Sequence, residues 1–184
     1  EGTVVDDTPL SPAAVVPASE VVSTPGATLT DSLQYRPGIT GSNFAPGANR
    51  PILRGLDNYR VRVQENGVGS HDVSALSEDH GVPIDPFTAD RIEIVRGPAS
   101  LRYGSQAIGG VVNAVNDRIP EVIPPRGFSI ETRGGLSSVD HGADGAFKVT
   151  AGAGNFAVHA DAFERHAGDY NTPLGRQFNS FVDS

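Results

Sequence analysis

The sequence predicts an α+β fold over its first two-thirds, a small mixed β-sheet with short helices, followed by a run of antiparallel strands. Three observations lead there. The stretch from Ile84 to Asp117 reads strand, constrained turn, glycine-rich loop, strand. The chain holds 22 glycines and 14 prolines among 184 residues and lacks long amphipathic patterns, which favours short strands and loops over helices. From Phe128 onward apolar residues recur at every second position, the period of a strand with two unlike faces.

In order, residues 1–27 read as an extended, weakly ordered arm, because Pro9, Pro12, Pro17 and Pro25 interrupt any helix and polar residues interrupt any buried strand. Within it Thr3, Val4 and Val5 form a short β-prone patch able to pair with a sheet edge on a partner. Residues 28–119 read as the compact domain. Thr28 to Leu33 is a capped helical turn with Leu29 and Leu33 on one face, stopped by Pro37-Gly38. Residues 39–49 are loop. Tyr59 to Glu65 alternates as a strand, and Asn66-Gly67 is a hairpin signal. Arg91 to Val95 alternates apolar against charged. It ends at Arg96-Gly97-Pro98, since proline lacks the donor for a further rung, and Val111 to Val115 is the returning strand.

Residues 120–127 are a proline-rich linker. Residues 128–184 then carry strands at 128–136, 147–151 and 156–162. Phe128, Ile130, Thr132 and Leu136 lie on one side, with Ser129, Glu131 and Arg133 on the other. Phe163-Glu164-Arg165 breaks that phase, as a bulge would. A transmembrane β-barrel shows this alternation, and so does an ordinary antiparallel sheet with one wet face.

Composition excludes several classes. A net charge of -8 with no basic run offers no means of neutralising phosphates, so no nucleic-acid partner is expected. The absence of cysteine leaves nothing to cross-link and removes the thiol nucleophile. No apolar run approaches the ~20 residues of a membrane helix. No basic segment followed by an apolar one opens the chain, so a signal peptide is either absent or already cleaved. No Gly-x-Ser-x-Gly elbow is present. Gly104, Gly109 and Gly110 lead into a strand without Gly-Lys-Ser/Thr, so they are no phosphate loop. Catalysis is not expected.

The one stretch with ligand chemistry is His71 to His80, two imidazoles and three carboxylates in ten residues. Nitrogen and carboxylate oxygen are what Zn²⁺ accepts when thiolates are missing, and a loop can turn the neighbours Asp79 and His80 to one side. The plain alternative is a solvated loop whose acids cap the turn at Ser74 to Leu76.

The wording "RIEIVRGPASLRYGSQAIGGVVN" resembles the plug domain of TonB-dependent outer-membrane receptors, and "PILRG…YRVRVQENGV" is similar to a second segment of that family, with Gln64-Glu65-Asn66 in place of its usual apolar-plus-Asp ending. The resemblance implies an α+β plug followed by antiparallel strands of a transmembrane β-barrel, with the arm facing the periplasm. Thr3, Val4 and Val5 would be the TonB box gripped by the energy-coupling protein TonB. Arg54 and Arg96 would anchor the plug to barrel carboxylates, a geometry suited to guanidinium. "SEDH" followed by a proline loop looks like the plug loop of zinc-uptake receptors. That implies Asp79 and His80 as zinc ligands, with His71, Asp72 and Glu78 nearby, zinc as transported cargo and no resident cofactor. A barrel of this class needs about 22 strands, and this chain supplies about three, so a longer receptor or another chain would complete the wall in outer-membrane lipid. The rival readings keep the transporter but change the cargo to an iron chelate, haem, copper or a small organic nutrient, or replace it by a soluble periplasmic binding or signalling module.

Overall fold

The computed structural model describes residues 13–24, 28–45, 47–70, 73–104, 107–120, 122–138, 141–166, 168, 170–172 and 175–177. The chain divides into two compact units, Glu1–Asn116 and Asp117–Ser184.

The first unit is organised on a five-stranded mixed sheet. In chain order its described elements begin with strand β1 (Ala13–Pro17), helix α1 (Ala18–Ser23), and the short pair β2 (Ile39–Gly41) and β3 (Pro51–Leu53). Then come β4 (Val61–Glu65), β5 (Val68–Gly69), β6 (Arg91–Val95) and β7 (Gly110–Val115). The strand order is β1-β6-β7-β4-β5, with β4 and β7 parallel and the other pairs antiparallel. β2 and β3 pair separately. This is the small mixed sheet with few helices that the sequence predicts.

One face of the sheet builds the main core. Val16, Ile92, Ile94, Val112 and Ala114 pack with Val21 of α1, with Leu29 and Leu33, and with Ile39, Leu53, Ile84 and Ala89. Full burial of each large aliphatic side chain contributes roughly 1.5–3 kcal/mol. The capped turn at Thr28 forms as expected. Thr28 N and Oγ1 both donate to Asp31 Oδ2, at 2.9 and 2.8 Å, and Asp31 N donates back to Thr28 Oγ1 at 3.2 Å. The opposite face holds a smaller cluster, Val95, Val111 and Ala107, with Tyr103 from the 3-10 segment Gly97–Tyr103 against it.

Four local expectations are corrected. The weakly ordered arm does not extend through residue 27: Ala13–Pro17 adds an edge strand antiparallel to β6, and Val16 is wholly buried. Pro17 is tolerated because it ends an edge strand. The strand expected from Tyr59 begins at Val61, because Asp57 Oδ1 accepts from Asn58 N at 2.7 Å and caps a 3-10 turn over Asn58–Arg60. The stretch expected as loop over residues 39–49 opens with β2. In β6 the alternating charges are not all at the surface. Glu93 is 1% exposed and stands in register with Asn113, which stands in register with Gln64, a polar row buried across the sheet. Asn66 and Gly67, with φ of 49° and 79°, make the two-residue hairpin between β4 and β5. Gly110 has φ of 145°, and a Cβ there would lie 2.6 Å from Leu53 Cδ1 and 2.7 Å from Val95 O, so only glycine lets β7 start beside β6.

The second unit is a three-stranded antiparallel sheet, β8 (Phe128–Leu136), β9 (Ala143–Ala153) and β10 (Phe156–His166), with β9 central. A short hairpin, β11 (Tyr170–Thr172) with β12 (Gly175–Gln177), follows. The alternation is as predicted. Phe128, Ile130, Leu136, Phe147, Phe156 and Val158 are exposed on one face. On the other, Glu131, Lys148 and Asp161 align across the three strands, as do Ser129, Thr150 and His159. Lys148 Nζ lies 3.3 Å from Asp117 Oδ1 and 3.6 Å from Glu131 Oε2, and Thr150 Oγ1 lies 2.8 Å from His159 Nδ1. The expected bulge at Phe163 is absent. β10 pairs with β9 without interruption, Phe163 opposite Ala146, so Phe163 falls on the polar face.

Candidate functional site

The His80 loop leaves β5 and returns to β6. Its first described turn is Val73–Ala75, where Leu76 N and Ser77 N both donate to Val73 O, at 2.9 and 3.0 Å. Gly81 then passes so close to Gly47 that a Cβ would meet its carbonyl oxygen at 2.1 Å. Asp85, the acid of the Asp-Pro pair, is a structural cap: its Oδ1 accepts from Phe87 N at 2.8 Å and starts the 3-10 turn Pro86–Thr88. That turn feeds the chain into β6.

Asp79 and His80 lie together on the exposed crest. His80 Nδ1 is 2.8 Å from Asp79 Oδ1, and their side chains are 50% and 42% exposed. Ser77 Oγ donates to the same carboxylate oxygen. The Ser77 hydrogen bond first, and the His80 bond after it, hold the Asp79 carboxyl below the usual carboxylate range. An ionised carboxylate can only accept, so Nδ1 is the donating nitrogen of this pair, and whenever the ring is neutral the lone pair sits on Nε2. A carboxylate that orients a histidine from behind in this way is the arrangement seen behind metal-bound imidazoles.

Beneath the crest lies Arg50, a residue the sequence reading did not single out. Its side chain is 5% exposed. Nε and Nη2 donate to Asp57 Oδ1 and Oδ2 at 2.7 and 2.9 Å, Nη1 donates to Ser74 O at 3.0 Å, and Nη2 reaches Glu78 Oε1 at 3.2 Å. Asp57 holds the Arg50 guanidinium above its ordinary value, and Arg50 in turn lowers the Asp57 carboxyl. Glu78 is therefore engaged with Arg50 and not with the Asp79–His80 pair. The partners of Arg50 lie 7, 24 and 28 residues away in sequence, so no local pattern marks it.

The other predicted residues fall as follows. His71 and Asp72 lie outside the described residues, as do Thr3, Val4 and Val5. Among the described residues no group of three or more histidine, cysteine or acidic side chains is placed to hold a metal ion. Arg54 and Arg96 converge. Arg96 Nη1 donates to Pro37 O at 2.9 Å, and burial first, then the like charges of Arg54 and Arg36, lower the Arg96 guanidinium below its ordinary value. Arg96 Nε is buried without a partner. Arg36 is paired with Glu20, while among the described residues Arg54 and Arg96 have no carboxylate partner.

A compact mixed-sheet domain, joined in sequence to antiparallel strands with one apolar face, has the architecture of a receptor plug followed by β-barrel strands. Residues 5–111 match the family model described as the TonB-dependent Receptor Plug Domain, and the chain belongs to that family. It is 38% identical over 101 residues to the hemin receptor of Yersinia pestis, covering 53% of this chain and 14% of that protein. It is 28% identical over 167 residues to the vitamin B12 transporter BtuB of Photobacterium profundum, covering 85% of this chain and 27% of that protein. Among solved structures it matches the copper transporter OprC with a TM-score of 0.72 at 20% identity, covering 95% of this chain and 26% of that one. The chain thus spans 14% to 27% of the length of the two curated relatives.

Proposed function

We propose that this chain is the plug and opening barrel strands of an outer-membrane receptor that takes up a metal centre held in an organic frame, by TonB-dependent active transport. The observation that carries the reading is the Asp79–His80 pair, which leaves one free imidazole nitrogen on an exposed plug loop. A single nitrogen can fill one open axial position of a metal already bound by a macrocycle. Relatives named for hemin and vitamin B12 support that cargo class.

The arm would carry the TonB box at Thr3, Val4 and Val5 and face the periplasm, where TonB would pull on it to rearrange the plug. Arg54 and Arg96 would take barrel carboxylates, a reading supported by their like charges lying close together and by the lack of a carboxylate partner for either among the described residues. The apolar face of β8, β9 and β10, exposed at Phe128, Ile130, Phe147 and Val158, would meet lipid as the outer face of barrel strands does. Zinc, expected from the loop wording, would use Asp79 and His80 as two of its usual four ligands and would need the rest from outside the described residues. The relatives reported above are named for hemin, vitamin B12 and copper, so zinc is the second choice of cargo.

Calorimetric titration with haemin, cobalamin, Cu²⁺ and Zn²⁺ tests this. The reading expects one of the first two to bind one-to-one and Zn²⁺ to bind weakly. Tight Zn²⁺ or Cu²⁺ binding without either macrocycle would overturn the cargo assignment.

A further inference from the structure

We infer that Arg50 is a positioning residue for the cargo loop: it holds the loop by two of its segments, and so fixes where His80 presents Nε2. The inference rests on the cargo reading above.

The side chain of Arg50 bonds to Asp57, Ser74 and Glu78 and to neither Asp79 nor His80. Its guanidinium lies under the loop, 5% exposed, braced by the bidentate Asp57 pair. From that fixed base two further N–H groups grip the loop. One takes the Ser74 carbonyl inside the Val73–Ala75 turn, and the other takes the Glu78 carboxylate one residue before Asp79. Bonds at both ends of a five-residue span set its height and tilt, and planar guanidinium suits this because its donors are fixed in direction. Arg50 is itself tied down: its backbone N donates to Ser42 Oγ at 3.1 Å, and the neighbouring Asn49 Nδ2 donates to Asp31 Oδ1 at 2.8 Å. The crest thus has a rigid support reaching back to the capped turn at Thr28. Glu78 acquires a role different from the one its place in the acidic stretch implied. It is the loop's tether and not a ligand, and at 59% side-chain exposure it adds little to the stability of the fold.

Glu78→Ala removes the tether and leaves the Arg50–Asp57 pair intact, whereas Arg50→Lys replaces the directed donors by a single ammonium. The full chain and each variant are titrated with haemin by following the Soret band, and amide hydrogen exchange is measured at Leu76 and Ser77. Thermal unfolding reports on the fold. Glu78→Ala is expected to keep its melting temperature, weaken haemin binding about tenfold and speed exchange at Leu76 and Ser77 more than tenfold, with β6 and β7 unchanged. Arg50→Lys is expected to do the same with a lower melting temperature. Wild-type haemin affinity and exchange in Glu78→Ala would overturn the inference. If the wild-type chain shows no Soret change that His80→Ala abolishes, the cargo reading fails. Exchange then decides the positioning role by itself, and unaltered rates in both variants refute it.

Discussion

Asn113 Nδ2 donates to Glu93 Oε2 at 3.2 Å between two central strands, where both residues are almost wholly covered. Glu93 also accepts from Arg91 Nε at 2.9 Å, and Asn113 Oδ1 accepts from Gly67 N at 2.8 Å, so the pair links β6, β7 and the β4–β5 hairpin. Asn113→Leu removes a hydrogen bond to a buried carboxylate and strands the Gly67 donor. It is expected to cost about 2–4 kcal/mol, read from urea unfolding. A loss below about 1 kcal/mol would mean that the polar row is replaceable.

On the crest, the two members of the Asp79–His80 pair are expected to fail differently. His80→Ala removes the nitrogen proposed as the ligand and should abolish the spectral change of the bound metal. Asp79→Asn leaves the nitrogen but loses the ionised acceptor behind it. It should weaken binding by about 10- to 100-fold, the usual effect of removing such a partner. Both are measured by titration with haemin, and equal effects of the two changes would contradict the division of roles.

The Asp57 carboxyl is lowered chiefly by its hydrogen bonds from Arg50, against burial that pushes it up. A carboxyl lowered on folding stabilises the fold in full above its unfolded value of about 3.9, and that contribution is lost as pH falls through the lower folded value. Asp57→Asn should therefore be less stable than wild type by about 1.5–3 kcal/mol at neutral pH, with the gap closing as acid is added. Urea midpoints from pH 7 to pH 2 check this, and a gap that widens in acid would contradict it.

Much of this arrangement is legible in the chain itself. The strands at Arg91 and Val111, the Asn66-Gly67 hairpin and the two faces of β8 each rest on a local signal of period or turn chemistry. β1 is not legible, because Ala13–Pro17 becomes a strand only by pairing with β6, where Ala13 meets Val95 and Pro17 meets Arg91, far along the chain. The burial of Glu93 is hidden for a related reason: alternation marks two faces but cannot say that Asn113 and Arg91 will meet the charge. At the site, the adjacency of Asp79 and His80 is plain in the sequence. Which nitrogen remains free, and what Arg50 does beneath, depend on contacts made only in the folded chain. The phase break at Phe163 is legible too, but its outcome is not, since the ladder with β9 outweighs the misplaced aromatic.

The central claim, a plug continued by strands that face lipid, is tested most directly by nitroxide labels at Ile130 and Ser129, neighbours on opposite faces of β8. In reconstituted vesicles the label at Ile130 should be broadened by oxygen and shielded from a water-soluble nickel chelate, and the label at Ser129 should not share that lipid signature. Equal access of the chelate to both positions would contradict a membrane wall and leave an ordinary sheet in water.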